Sequence, residues 1–126
     1  EDSDDVKNGF VNVLIDLPTH EPGLDALRRL SGVTLRVVET PEEKARPLPT
    51  ELIQDCDALL GTFLPDNHAD MTHLKLVQVA SAGYGQLVGE GLAERGVTAC
   101  NALGVFDVPI AEWNVAMMIN LARDVR

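Results

Sequence analysis

Five short apolar runs, each set off from the next by a polar stretch, constrain this chain more than any other feature. They read VNVLIDL (11–17), TLRVVET (34–40), ALLGTF (58–63), LVQVASA (76–82) and VTACNA (97–102). Val, Leu and Ala dominate, and several runs are almost continuously apolar. A strand covered on one face alternates apolar with polar residues, whereas a strand covered on both faces has no need to. The runs therefore predict strands buried on both sides, as in a parallel sheet.

The intervening stretches carry helix signals of unequal strength. EPGLDALRRLSG spaces Leu24, Leu27 and Leu30 along one helical face and stops at Gly32. PTELIQDC opens with Pro49 and Thr50 followed by acids, the composition of a helix start. NHADMTHLK is short and weakly patterned, and YGQLVGEGLAERG spaces Leu87, Leu92 and Arg95 loosely before ending at Gly96. Strand–helix alternation at this pitch implies right-handed βαβ units with helices on both faces of the sheet. The expected fold is an α/β, flavodoxin-like three-layer sandwich over residues 9–108, with a five-stranded parallel sheet in the order 2-1-3-4-5. Ligands of such sheets bind beyond the carboxyl ends of the strands, which directs attention to the loops after Leu17, Phe63, Ala82 and Ala102.

A chain of 126 residues fits one domain, and its 45% apolar share suits a globular protein. Twenty acids against ten bases give a net charge of −10, which opposes nucleic-acid backbones and anionic membranes. Part of that excess is the non-periodic EDSDD segment, so residues 1–8 are expected to form a disordered acidic tail. No apolar run is long enough to span a bilayer, and no signal segment opens the chain. The lack of an initiator Met points to a start that is processed, trimmed or cut from something longer. Cys56 and Cys100 form no CxxC pair and sit beside apolar runs, which predicts buried free thiols and a reducing, cytoplasmic setting.

The last stretch, PIAEWNVAMMINLARDVR, predicts a helix over 109–125 with Pro109 in its first turn and Glu112 near the positive end of its dipole. At about 100° per residue, Glu112, Asn120 and Arg123 share one side, while Trp113, Met117, Met118, Leu121 and Val125 occupy most of the rest. Such a helix needs cover on two sides. The sheet is expected to supply one, and a second domain or subunit the other. A homo-oligomer through helix 109–125 is the expectation, with Trp113, Met117 and Leu121 at its centre.

Several loop chemistries can be set aside. SAGYGQLVGEG offers Gly83-x-Gly85-x-x-x-Gly89, with Val88 where the dinucleotide fingerprint needs Gly or Ala. The following run, VTACNA, lacks the terminal acid that would take the ribose hydroxyls. A flavodoxin phosphate loop needs hydroxyls and glycine after the first strand, where this chain offers DLPTHEP, and Asp16 has no partner acid at the end of the third run to share Mg²⁺. Ser81 lies in VASAG, without the glycine of a nucleophile elbow before it or a His after it. His68 and His73 are five residues apart, off the shared face of metal-binding pairs, so surface or helix-end roles are expected and no metal site. His20 follows the first strand and can reach the ligand edge.

LKLVQVASAGYGQL, followed by ERGVTACNALGVFDVPIAEWNVAMMINLARD, resembles the N-terminal part of the D-isomer-specific 2-hydroxyacid dehydrogenases. The resemblance is strong from Leu74 to Asp124 and rests on the glycine turn, the GVxxxN strand and the AE helix, in order. Earlier residues match mainly in strand order. Gly85 and Asp107 depart from residues common at those places. The resemblance implies a first domain that holds a small 2-oxo or 2-hydroxy carboxylic acid and a Rossmann domain, missing from this chain, that holds NAD(H) or NADP(H). It also implies that backbone amides of Ala82, Gly83 and Tyr84 contact the substrate carboxylate. Asn101 would donate to a carboxylate or carbonyl oxygen, and Phe63 and Leu64 would wall the substrate side chain. The Arg, the His and the acid that perform catalysis in that family would lie beyond Arg126, so this chain is expected to hold no cofactor and to be inactive alone. The other class considered is a free-standing flavodoxin-like binding or interaction module without catalysis.

Overall fold

The computed structural model of the protein describes residues 9–124. The expected acidic tail and Val125 lie outside the described residues. Five parallel strands, β1 (Val11–Asp16), β2 (Val33–Val37), β3 (Ala58–Gly61), β4 (Leu76–Val79) and β5 (Thr98–Cys100), form one sheet in the order β2-β1-β3-β4-β5. The expected order is the observed one. Each strand is shorter than its apolar run, because the run continues into the loop at the carboxyl edge.

Register explains why the runs are continuously apolar. Leu14 pairs with Leu59, and Leu59 with Val77, so these three line one face. Their neighbours Ile15 and Leu60 pair on the opposite face. On the first face Leu14, Leu59, Val77 and Val79 join Ile53, Met71 and Leu92 in the main core. On the second, α1 (Glu21–Arg28) sets Leu24 and Leu27 beside Ile15 and Leu60, leaving Leu30 exposed past the helix end. The central β3 is almost wholly buried, whereas β2 and β5 at the edges are half exposed. Cys56 lies in the core, its thiol donating to the Ala58 carbonyl at 3.1 Å, and burial pushes that thiol up from its ordinary value. Cys100 is free like Cys56 but only half-buried, because β5 is an edge strand.

The crossovers are less regular than the sequence pattern predicts. The helix α2 is a single turn, Thr50–Ile53. NHADMTHLK contributes a 3-10 turn at His68–Asp70. YGQLVGEGLAERG does not form the expected helix: it holds a 3-10 turn at Gly85–Leu87 and then a chain of turns. The cause is local. Gly89, Gly91 and Gly96 have φ of 86°, 65° and 69°, left-handed values that no right-handed helix accommodates. Leu92 and Val97 still reach the core from this segment.

The final helix α3 spans Asp107–Arg123, beginning two residues earlier than expected and ending at Asp124 in a left-handed C-cap. It contains no buried residue, and only Met117 is half-buried. The expectation that a sheet face covers one side of it is overturned. After β5 the chain turns at Gly104, with φ of 87°, and α3 leaves the sheet instead of folding back on it. Among the described residues no helix is long and apolar enough to cross a membrane.

Candidate functional site

The loops after β1, β3, β4 and β5 gather at the carboxyl edge of the sheet. The loop after β4 is held by its carbonyls. Ser81 O accepts from the Ala102 amide at 2.9 Å, Ala82 O from Asn101 Nδ2 at 2.7 Å, and Gly83 O from the Ser81 hydroxyl at 2.8 Å. Gln86 Nε2 donates both to Ser81 Oγ, at 2.8 Å, and to Thr62 O, at 3.0 Å, tying the turn to the loop after β3. The amides of Ala82, Gly83 and Tyr84 have no hydrogen-bond acceptor among the described residues. Each such N–H carries partial positive charge, and backbone amides left without an internal acceptor are groups that can meet an oxygen.

Glycine serves this turn by leaving room. Gly83 and Gly85 are not among the positive-φ glycines, and a Cβ on either would meet nothing within 4 Å. The space where a Cβ would stand at these two positions is open. Tyr84 is 62% exposed at its rim. Asn101 holds the turn through Ala82, so one amide hydrogen and Oδ1 remain for a ligand.

Phe63 and Leu64 sit differently from one another. Leu64 is buried in the core, while Phe63 is 37% exposed and presents its ring to the cleft. This cleft, about 290 Å³, is also lined by Gln86, His68 and Glu90. The bend that delivers Phe63 depends on Gly61, whose added Cβ would lie 3.3 Å from Phe63 O and 3.4 Å from Asp16 O. Tyr84, Cys100, Asn101 and Leu103 border a second depression.

Three features escaped the sequence pattern. Asp16, ending β1, is buried and receives Arg46 through both guanidinium nitrogens at 2.8 and 2.9 Å. That hydrogen-bonded pairing raises the Arg46 pKa above its ordinary value. His68, expected at the surface, has a side chain only 14% exposed. Arg95 NH1 lies 3.2 Å from its Nδ1, and Glu90 lies 3.0 Å from its Nε2. A guanidinium only donates, so Nδ1 accepts and the ring proton sits on Nε2, facing Glu90. Arg95 is itself anchored to the His68 and Met71 carbonyls. Gln86 is the third, and its signal was its place in a glycine loop after a strand.

The glycine turn does not lead into an α-helix. A pyrophosphate rests on the N-terminus of an α-helix, where several amides and the helix dipole converge. Here one 3-10 turn follows, and Val88 is already extended. His20 lies exposed at the N-cap of α1, in the loop after β1. Among the described residues no group of three or more His, Cys, Asp or Glu side chains could hold a metal ion.

No family model matches the chain. It is similar to a D-3-phosphoglycerate dehydrogenase of Methanocaldococcus jannaschii, with 26% identity over 120 residues. That match covers 92% of this chain and 22% of the relative, so the chain spans less than a quarter of the relative's length.

Proposed function

We propose that this chain is the substrate-binding domain of an NAD(P)-dependent D-2-hydroxyacid dehydrogenase, the parent reaction being reversible reduction of a 2-oxo acid. The observation that carries the proposal is the trio of open amides at Ala82, Gly83 and Tyr84, set at the edge where this fold binds ligands. The similarity to a dehydrogenase over 92% of the chain supports it.

The carboxylate of the acid lies against the three amides, with the remaining Asn101 hydrogen at hand for an oxygen. Phe63 flanks the substrate side chain, and Leu64 supports that ring from the core. Nicotinamide and the proton-transferring groups come from a Rossmann domain outside this chain, which therefore shows no turnover alone. The apolar surface of α3, with Trp113 at 62% and Leu121 at 86% exposure, is covered by a second copy.

Co-crystallisation with pyruvate tests the assignment. Carboxylate oxygens within hydrogen-bond distance of the Gly83 and Tyr84 amides are expected. Pyruvate found elsewhere, with the turn empty, rejects it. Gly83→Ala fills the open space and should weaken binding without altering the unfolding midpoint.

A further inference from the structure

We infer that Ser81 and Gln86 are positioning residues for the acid: the Ser81 hydroxyl, itself held by Gln86, aims the Tyr84 amide at the carboxylate. The inference rests on the glycine turn being the carboxylate seat and adds what keeps that seat facing one way.

The peptides of the turn are trans. In a planar trans peptide the carbonyl of one residue and the N–H of the next point in opposite directions, so fixing a carbonyl aims the amide that follows it. Each of the three open amides follows a carbonyl held by a different donor. Ser81 O accepts from the Ala102 amide, which directs the Ala82 N–H. Ala82 O accepts from Asn101 Nδ2, which directs the Gly83 N–H. Gly83 O accepts from the Ser81 hydroxyl, which directs the Tyr84 N–H.

The third tether differs from the other two. Ala102 and Asn101 come from the segment that follows β5, whereas the Ser81–Gly83 bond is made within the turn and is exposed to water. It also restrains the peptide with the most freedom. Gly83 precedes that peptide and Gly85 follows Tyr84, and a Cβ on either glycine would meet nothing within 4 Å. Glycine torsions are limited by no side chain of their own, and here no neighbour crowds them. Rotation of the Gly83–Tyr84 peptide would bring Gly83 O to where the Tyr84 N–H now points. A carboxylate would then meet a lone pair instead of a proton.

A hydroxyl rotor holds a carbonyl only when its own proton is aimed, and Gln86 aims it. Gln86 Nε2 donates to Ser81 Oγ at 2.8 Å and to Thr62 O at 3.0 Å. Thr62 O only accepts, which fixes the side of the carboxamide that carries nitrogen, and both of its hydrogens are used. With Oγ accepting from Gln86, the hydroxyl proton is left for Gly83 O at 2.8 Å. The relay runs from the loop after β3, through Gln86 and Ser81, to the peptide that carries the Tyr84 N–H. Both side chains act through the backbone.

An NMR titration of the ¹⁵N-labelled chain with pyruvate tests this in wild type, Ser81→Ala, Ser81→Thr and Gln86→Met, with urea unfolding of each. Ser81→Ala and Gln86→Met should bind pyruvate roughly three- to tenfold more weakly, the net worth of one hydrogen bond. Both should move the Tyr84 amide resonance before pyruvate is added. Ser81→Thr, which keeps the hydroxyl, should bind as wild type does, and all unfolding midpoints should stay close to that of wild type. Wild-type affinity in either Ser81→Ala or Gln86→Met overturns the inference and leaves the seat standing. An equal loss in Ser81→Thr, or a loss matched by a falling midpoint, overturns it too, as the mark of a merely structural role. If pyruvate leaves the Ala82, Gly83 and Tyr84 amides of wild type unmoved, the seat is wrong and the inference falls with it.

Discussion

The sheet and α3 are both rich in Leu, Val and Met, yet they end in opposite environments. Leu14 and Ile53 have no exposed surface, whereas Leu121 is 86% exposed and Met118 67%. In the sheet, register gives each apolar side chain a partner on its own face. In α3 apolar residues run nearly all the way round, so no single face could have satisfied them. The core lies under the sheet, and α3 leaves its apolar side chains exposed.

Truncating the core tests the first half of that contrast most strongly. Leu14→Ala should cost about 4 kcal/mol in urea unfolding, while Leu121→Ala should stay within about 0.5 kcal/mol. Similar losses at both positions would show that α3 packs on the sheet in solution. Arg46→Met, which strands the buried Asp16 carboxylate, should cost about 3 kcal/mol by the same measurement. Adding Asp16→Asn should restore much of it.

Trp113→Ser with Leu121→Ser should leave the unfolding midpoint of the monomer unchanged and abolish self-association in sedimentation. A wild type that is monomeric at high concentration would count against the second-copy assignment. The smallest expected effect is alkaline. Burial raises the Cys56 pKa from its ordinary 9.0, so the unfolded thiol ionises first as pH rises. The contribution of the neutral thiol is therefore complete below pH 9.0 and lost as pH climbs towards the folded value. Cys56→Ala should flatten that decline in unfolding curves taken across the alkaline range.

Strand order and the carboxyl-edge loops were legible in the sequence because both follow from local patterns: continuous apolar runs and the helical stretches between them. The crossover after β4 was misread although its signal was present, since glycines at 89, 91 and 96 argue for turns over helix. The ion pair of Arg46 with Asp16 spans 30 residues, and Arg95 reaches His68 across 27. Neither spacing is periodic, so only the folded chain reveals them. The environment of α3 was misread for a related reason. An apolar girth states that cover is required and is silent on which molecule supplies it.

The most direct measurement is an amide-resolved NMR titration of the ¹⁵N-labelled chain with a small 2-oxo acid. Saturable shifts concentrated at Ala82, Gly83 and Tyr84, and lost in Gly83→Ala, are what the open-amide seat predicts. Saturable shifts centred elsewhere, with those three resonances unmoved, would contradict it.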